Sequence, residues 1–258
     1  MVTRDTAWPP GTPCWVDLGV TDIPKAKAFY RGLFGWEIQD GPPEAGGYSM
    51  CVIGGQPVAG IGSSQGDMPI FWTTYLATAD ADETAAAIRT AGGQLVMDPL
   101  DVMDVGRMFM AVDPGGAMFG VWQARAHTGV RLANEPGSLT WNENMSRSYE
   151  QNKAFYGSVF GYHFGDIGAE GARYATLDVD GRPVGGIGEI GPTEPDVPAY
   201  WGTYFAVADT DAAVARVLEL GGRVVEPARD SPFGRIAVVA DDQGAVFSLI
   251  STDGDQDG

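Results

Sequence analysis

The sequence predicts an α+β fold made of four strand–helix–three-strand units, arranged as two tandem halves. Three observations predict it. Cys14 to Trp36 (CWVDLGVTDIPKAKAFYRGLFGW) reads as strand, turn, helix and Gly stop, and it returns as Trp141 to Tyr162 (WNENMSRSYEQNKAFYGSVFGY). Ala-Phe-Tyr begins at 28 and again at 154, and GQPVAGIG begins at 55 where GRPVGGIG begins at 181, so two separate motifs share one offset of 126 residues. The later parts of the halves match as well: FWTTYLATADAD with YWGTYFAVADTD, and GRMFMAVDPGGAMFGVW with GRIAVVADDQGAVFSLI. A chain of 258 residues accommodates one large domain or two ordinary ones, and the repeat selects two.

Each element follows from local pattern. Residues 1–12 form a Pro/Gly-rich lead-in. Val16, Leu18 and Val20 then alternate with Trp15, Asp17 and Gly19, the period-two signature of a strand. Thr21 or Asp22 can cap the next helix, Pro24 suits its first turn, and Ala26, Phe29, Tyr30 and Leu33 fall at helical spacing before the Gly35 stop. Short strands near 36–40, 47–53 and 57–62 follow. The second unit predicts a strand over 73–78, a helix from 79 to 91 stopped by Gly92-Gly93, and strands near 94–98, 106–112 and 117–123 around the turn Asp113-Pro114-Gly115-Gly116. The segment 127–137 lacks periodicity and reads as a linker. The boundaries are therefore 13–126 for the first domain (units 13–65 and 70–124) and 138–251 for the second (units 139–190 and 199–251), with 252–258 a disordered tail. In the third unit Asn142, Asn144 and Ser146 stand where the first has Val16, Leu18 and Val20. Either that face is less buried or the register is shifted by one.

Composition narrows the function classes. A net charge of −18 repels phosphate backbones and argues against a nucleic-acid partner. No apolar run approaches a membrane span and the N-terminus has no signal-peptide core, so the expected location is the cytoplasm. The two cysteines, Cys14 and Cys51, show no disulfide framework and are expected as reduced thiols. GGQPVAGIG is not a phosphate loop, because it lacks the Lys-Ser/Thr and opens no helix. Its glycines are expected to permit tight turns between strands.

Four βαβββ units, with Ala-Phe-Tyr…Phe-Gly-Trp in a first helix and Asp-Pro-Gly-Gly before a last strand, resemble the vicinal oxygen chelate superfamily of glyoxalases, bleomycin-resistance proteins and extradiol dioxygenases. The resemblance covers residues 13–251 and implies that the four modules pair into two eight-stranded, cup-shaped half-barrels with the ligand on the concave face. The layout also resembles a two-domain glyoxalase-like "hydroxylase" group of antibiotic-producing bacteria. Catalytic members of the superfamily carry a divalent metal, held by His or Gln early on a first strand and by Glu on a last strand. Those positions here fall on Trp15, Thr73, Trp141 and Gly202, and on Gly120 and Ser248. The only histidines, His127 and His163, lie in the linker and after the third-unit helix. Neither metal ligands nor a cofactor are therefore expected.

The candidate site residues follow from alternation. Trp15 and Trp141 take the concave-face position in each half, as stacking platforms or as core filler. Asp17 and Glu143, two residues on, point the same way and are the candidate catalytic acids or grips for a polar ligand group, unless each is paired with an Arg such as Arg107 or Arg235. Tyr75 and Tyr204 share that face, and Trp122 and Met145 also point inward. The leading expectation is a monomeric, metal-independent binder of a small planar apolar molecule, an antibiotic or aromatic polyketide intermediate, serving self-resistance or a pathway enzyme as partner. The alternatives are a cofactor-free or flavin-assisted hydroxylase or cyclase, a metal-dependent lyase or dioxygenase with non-standard ligands, and a scaffold that binds another protein.

Overall fold

Local punctuation sets the elements where the pattern places them. The computed structural model describes residues 2–64, 69–168, 172–194 and 196–251; the expected tail lies outside them. A short strand β1 (Val2–Thr3) precedes the first unit, which comprises β2 (Pro13–Val20), α1 (Ile23–Phe34), β3 (Glu37–Asp40), β4 (Ser49–Ile53) and β5 (Gln56–Ser63). The second unit is β6 (Trp72–Thr78), α2 (Ala81–Thr90), β7 (Gln94–Val102), β8 (Gly106–Val112) and β9 (Met118–Ala124). After β10 (Leu132–Ala133) the third runs β11 (Leu139–Ser146), α3 (Tyr149–Phe160), β12 (His163–Asp166), β13 (Tyr174–Val179) and β14 (Arg182–Glu189). The fourth runs β15 (Tyr200–Ala206), α4 (Thr210–Glu219), β16 (Arg223–Ser231), β17 (Gly234–Ala240) and β18 (Val246–Ser251). Asp22 caps α1 by accepting the Lys25 N–H, and Gly35 ends it in the left-handed region at φ 69°.

Each half closes one sheet. The first has the order β3-β4-β5-β2-β6-β9-β8-β7, its two units joined by the antiparallel pair β2–β6. The second repeats it as β12-β13-β14-β11-β15-β18-β17-β16, joined through β11–β15. The lead-in and the 127–137 segment were expected to hold no element. They contain β1 and β10, which pair with each other, and β10 adds alongside β11.

The convex faces meet through helices, α1 against α4 and α2 against α3. Each apolar core therefore draws on both halves. One gathers Val16, Leu18, Phe29 and Trp36 with Phe205, Val239 and Phe247. The other gathers Leu76, Ile88, Phe109 and Phe119 with Phe155 and Trp201. The two repeated signatures lock this contact. Tyr30 of the first Ala-Phe-Tyr donates to Asp241 Oδ2 at 3.0 Å and accepts from Trp72 Nε1 at 3.1 Å. Tyr156 of the second donates to Asp113 Oδ2 at 2.9 Å and accepts from Trp201 Nε1 at 2.8 Å. Each turn aspartate thus binds the tyrosine of the opposite half.

The polar third unit belongs to this interface. Asn142, Asn144 and Ser146 are fully buried, so the face is neither exposed nor out of register. Asn142 Nδ2 donates to Thr74 and Thr203, and Asn144 Nδ2 donates to Asp113 at 2.8 Å. Burial is tolerable because the amides find partners across the contact.

Arg107 and Arg235 do not pair with Asp17 or Glu143. Arg107 binds Asp82 and Asp101, and Arg235 binds Asp211 and Asp230, so each clamps a helix start to a β-hairpin at the surface. Exposed pairs contribute little. Arg235→Ala is accordingly expected to unfold in urea within experimental error of the wild type. Among the described residues no helix is long and apolar enough to cross a membrane.

Candidate functional site: an acid between two tyrosines in each cup

The concave face of each sheet carries a matching set of four polar side chains, one indole, two phenols and one acid, which is Asp in the first and Glu in the second. In the first cup Trp15 Nε1 donates to the Tyr48 hydroxyl at 2.8 Å, and Tyr48 donates to Asp17 Oδ2 at 3.3 Å. Tyr75 donates to the same oxygen at 3.1 Å. In the second cup Trp141 Nε1 donates to Tyr174 at 2.9 Å, Tyr174 to Glu143 Oε2 at 2.8 Å, and Tyr204 to Glu143 Oε1 at 2.6 Å. An indole N–H can only donate, so its tyrosine accepts there and turns its own proton to the carboxylate. β2 and β11 set the indole and the acid two residues apart on one face, while β4 and β13 or their entry, and β6 and β15, bring the phenols.

Of the expected residues, Trp15, Asp17 and Tyr75 meet in the first cup, and Trp141, Glu143 and Tyr204 in the second. Trp122 joins the first, donating from Nε1 to the His127 carbonyl at 2.9 Å. Met145 leans over Gly188 in the second. The sequence reading missed Tyr48 and Tyr174. The signal was there: they stand at the same 126-residue offset as the helix motif. The glycines that follow them also need a correction. Gly54 and Gly55 do make a turn, at φ 54° and 75°. Gly60, Gly62, Gly186 and Gly188 instead leave the floor bare for the tyrosine rings, since a Cβ at Gly60 or Gly186 would fall on the Tyr48 or Tyr174 hydroxyl. Gly60→Ala is therefore expected to displace Tyr48 and break the Trp15–Tyr48–Asp17 chain, visible as a changed near-ultraviolet circular dichroism of Trp15.

His127, expected outside the cup, is a second correction. Its ring meets Trp15 edge-on at 4.3 Å between centroids and Trp122 at 5.4 Å. Burial lowers its pKa to about 4, so the imidazole is neutral. His163 is exposed on the edge strand β12.

Burial governs the acids. Asp17 is pushed up to about 6, with the hydrogen bonds from Tyr75 and Tyr48 opposing. Glu143 is raised for the same reason, against the hydrogen bonds from Tyr204 and Tyr174. Each site thus offers one carboxyl group, held by two phenols beneath an indole, suited to accept a ligand proton or to move one.

The donor set does not fit a divalent cation. The described residues contain no cluster of three or more His, Cys, Asp or Glu side chains. In both cups the carboxylate is engaged by phenols, and indole nitrogen carries no lone pair for a metal.

Comparison with known proteins fits this architecture. The sequence matches the Glyoxalase/Bleomycin resistance protein/Dioxygenase superfamily over residues 14–121 and 145–249. The chain belongs to that superfamily. Within it, the chain is 43% identical over 249 residues to "Putative glyoxylase CFP32" of Mycobacterium tuberculosis, covering 93% of this chain and 94% of that protein. It is 37% identical over 263 residues to "Anthracycline biosynthesis protein DnrV" of Streptomyces peucetius, covering 95% and 94%. A Mn(II)-bound glyoxalase from Novosphingobium aromaticivorans superposes with a TM-score of 0.67 over 94% of this chain and 82% of that one, at 17% identity, a likeness of fold alone. The superfamily's fold is thus retained here.

Proposed function

We propose that this superfamily member binds a small, planar, largely apolar molecule of the aromatic polyketide kind, without a metal, in the cytoplasm. Its role is to sequester that molecule or to present it to a biosynthetic enzyme. The observation that carries the reading is the repeated indole–phenol–acid–phenol group. It combines flat apolar surface with one anchored carboxyl acceptor, the arrangement that orients an aromatic ligand through a hydroxyl. The relatives DnrV and DauV, both named anthracycline biosynthesis proteins, support the ligand class. The free, buried cysteines support a reducing compartment.

Titration with 1,8-dihydroxyanthraquinone is expected to quench tryptophan fluorescence saturably. Glu143→Gln and Tyr204→Phe are expected to weaken binding by roughly 10- to 150-fold, the range for losing a hydrogen bond to a charged group. Unchanged fluorescence across a panel of hydroxylated anthraquinones and naphthacenes counts against the proposal. A proton-transfer reading draws on the same carboxyl group, because burial raises Glu143 toward the working range of a general base. Under it, Glu143→Gln abolishes turnover of a bound polyketide while sparing most of its affinity.

A further inference from the structure

The two cups share a floor but not an opening. In the first, Trp15 is 3% exposed, Trp122 6% and Tyr75 7%. In the second, Trp141 and Tyr204 keep partial exposure, so the contrast lies at the indole and at the phenol of β6 or β15; Tyr48 and Tyr174 are both half-buried, and Asp17 is half-buried where Glu143 is buried. The difference has a structural cause. After β9 the chain turns back across the first cup, held by Arg125 and His127 N–H groups to the Val105 carbonyl and by the Val130 N–H to the Cys14 carbonyl. This strap lays the neutral His127 ring on Trp15 and against Trp122. Gly106, which leaves room for the Trp122 ring, completes the closure.

Among the described residues, the second cup lacks these fillers. In the matched segments GRMFMAVDPGGAMFGVW and GRIAVVADDQGAVFSLI, Trp122 corresponds to Ile250, Met108 to Ile236 and Met110 to Val238. The changes at Trp122 and Met110 remove volume from the concave face, and the change at Met108 keeps it. The hairpin residue Val105 packs into the first core, whereas its counterpart Phe233 is 60% exposed. Tyr200, at the end of β15 beside Met145 of β11, is also exposed.

We propose that the first cup is an internally plugged site whose occupant is the chain's own His127, and that the second cup is the one ligand site. Its floor is the Trp141–Tyr174–Glu143–Tyr204 group and its rim carries Phe233 and Tyr200. The ligand is a planar aromatic that covers exposed ring surface and places a hydroxyl on Glu143. Burial of apolar rim surface supplies affinity that the first cup has already spent on its own side chains. The ligand class rests on the binding proposal above, whereas the unequal access of the two cups stands on burial alone.

The test separates them. With dilute N-bromosuccinimide on the full chain, followed by peptide mass spectrometry, Trp141 is expected to oxidise at least about tenfold faster than Trp15, which reacts only through local opening. Equal rates, or faster oxidation of Trp15, overturn the plug. Replacing His127 by Ala together with Trp122 by Ile, the second cup's residue, is expected to bring Trp15 toward the Trp141 rate, and an unchanged Trp15 rate in that folded variant also overturns it. If the double variant does not fold, the wild-type rates decide. Calorimetric titration with 1,8-dihydroxyanthraquinone is expected to give one site per chain, with Trp141 protected on binding. Two equal sites overturn the single-site assignment. Absence of binding alongside fast Trp141 oxidation overturns the ligand class and upholds the plug.

Discussion

Asp113→Ala is expected to destabilise the fold by about 3–5 kcal/mol, the cost of stranding several buried donors at about 1–3 kcal/mol each, partly relieved by relaxation. Asp113 is 3% exposed. Its carboxylate accepts from the Tyr156 hydroxyl, the Asn144 and Asn152 amides, and the Gly115 and Ala117 N–H groups. Removing it strands donors from both halves at once, and nothing apolar in the alanine compensates them. Burial already raises the Asp113 pKa, so the group is retained against its own desolvation by these partners. Tyr156→Phe removes one of these donors and leaves the Trp201 indole N–H without its acceptor, and is expected to cost less, about 1–3 kcal/mol. Urea unfolding of both variants provides the measurement. A loss below about 1 kcal/mol for Asp113→Ala would mean that the halves are held by their apolar cores alone.

The fold was legible because its signals are local and doubled. Val16, Leu18 and Val20 alternate, Phe29 and Tyr30 recur at 155 and 156, and Gly35 and Gly161 stop matched helices. Trp15, Asp17, Tyr75, Trp141, Glu143 and Tyr204 were legible as a shared face because alternation along β2, β6, β11 and β15 fixes direction. What pairs across strands was harder to read. Tyr48 and Tyr174 enter the cups from the ends of short strands, where alternation gives little leverage, and the glycines that admit them resemble ordinary turn glycines. Asn142 and Asn144 looked surface-like because their partners, Thr74, Thr203 and Asp113, lie on other units. His127 was misplaced because its position depends on hydrogen bonds from an aperiodic segment to Val105, which no periodicity encodes.

Replacing the two acids by their amides is expected to separate stability from binding. The pKa of Asp17 rises from 3.8 to about 6 on folding, so the folded state prefers the protonated acid. Its contribution to stability is fully present below pH 3.8 and is lost as pH rises through 6. By linkage that loss amounts to about 3 kcal/mol at neutral pH. Asp17→Asn removes it while giving back part through weaker hydrogen bonds from Tyr48 and Tyr75. The variant is therefore expected to be more stable than the wild type by about 1–3 kcal/mol above pH 7, with the advantage vanishing below pH 4, in urea unfolding across that range. An Asp17→Asn variant less stable at every pH would mean that the phenols hold the ionised acid better than burial opposes it. Glu143 is raised by the same cause, so Glu143→Gln is expected to shift stability in the same direction. The two variants part at the ligand. With the first cup filled by His127 and Trp122, Asp17→Asn leaves binding of a hydroxylated anthraquinone unchanged, whereas Glu143→Gln weakens it. An acid kept at a cost in stability beneath a partly exposed indole is what a binding site selects for. The same acid beneath the buried Trp15 serves instead as the common acceptor for Tyr48 and Tyr75.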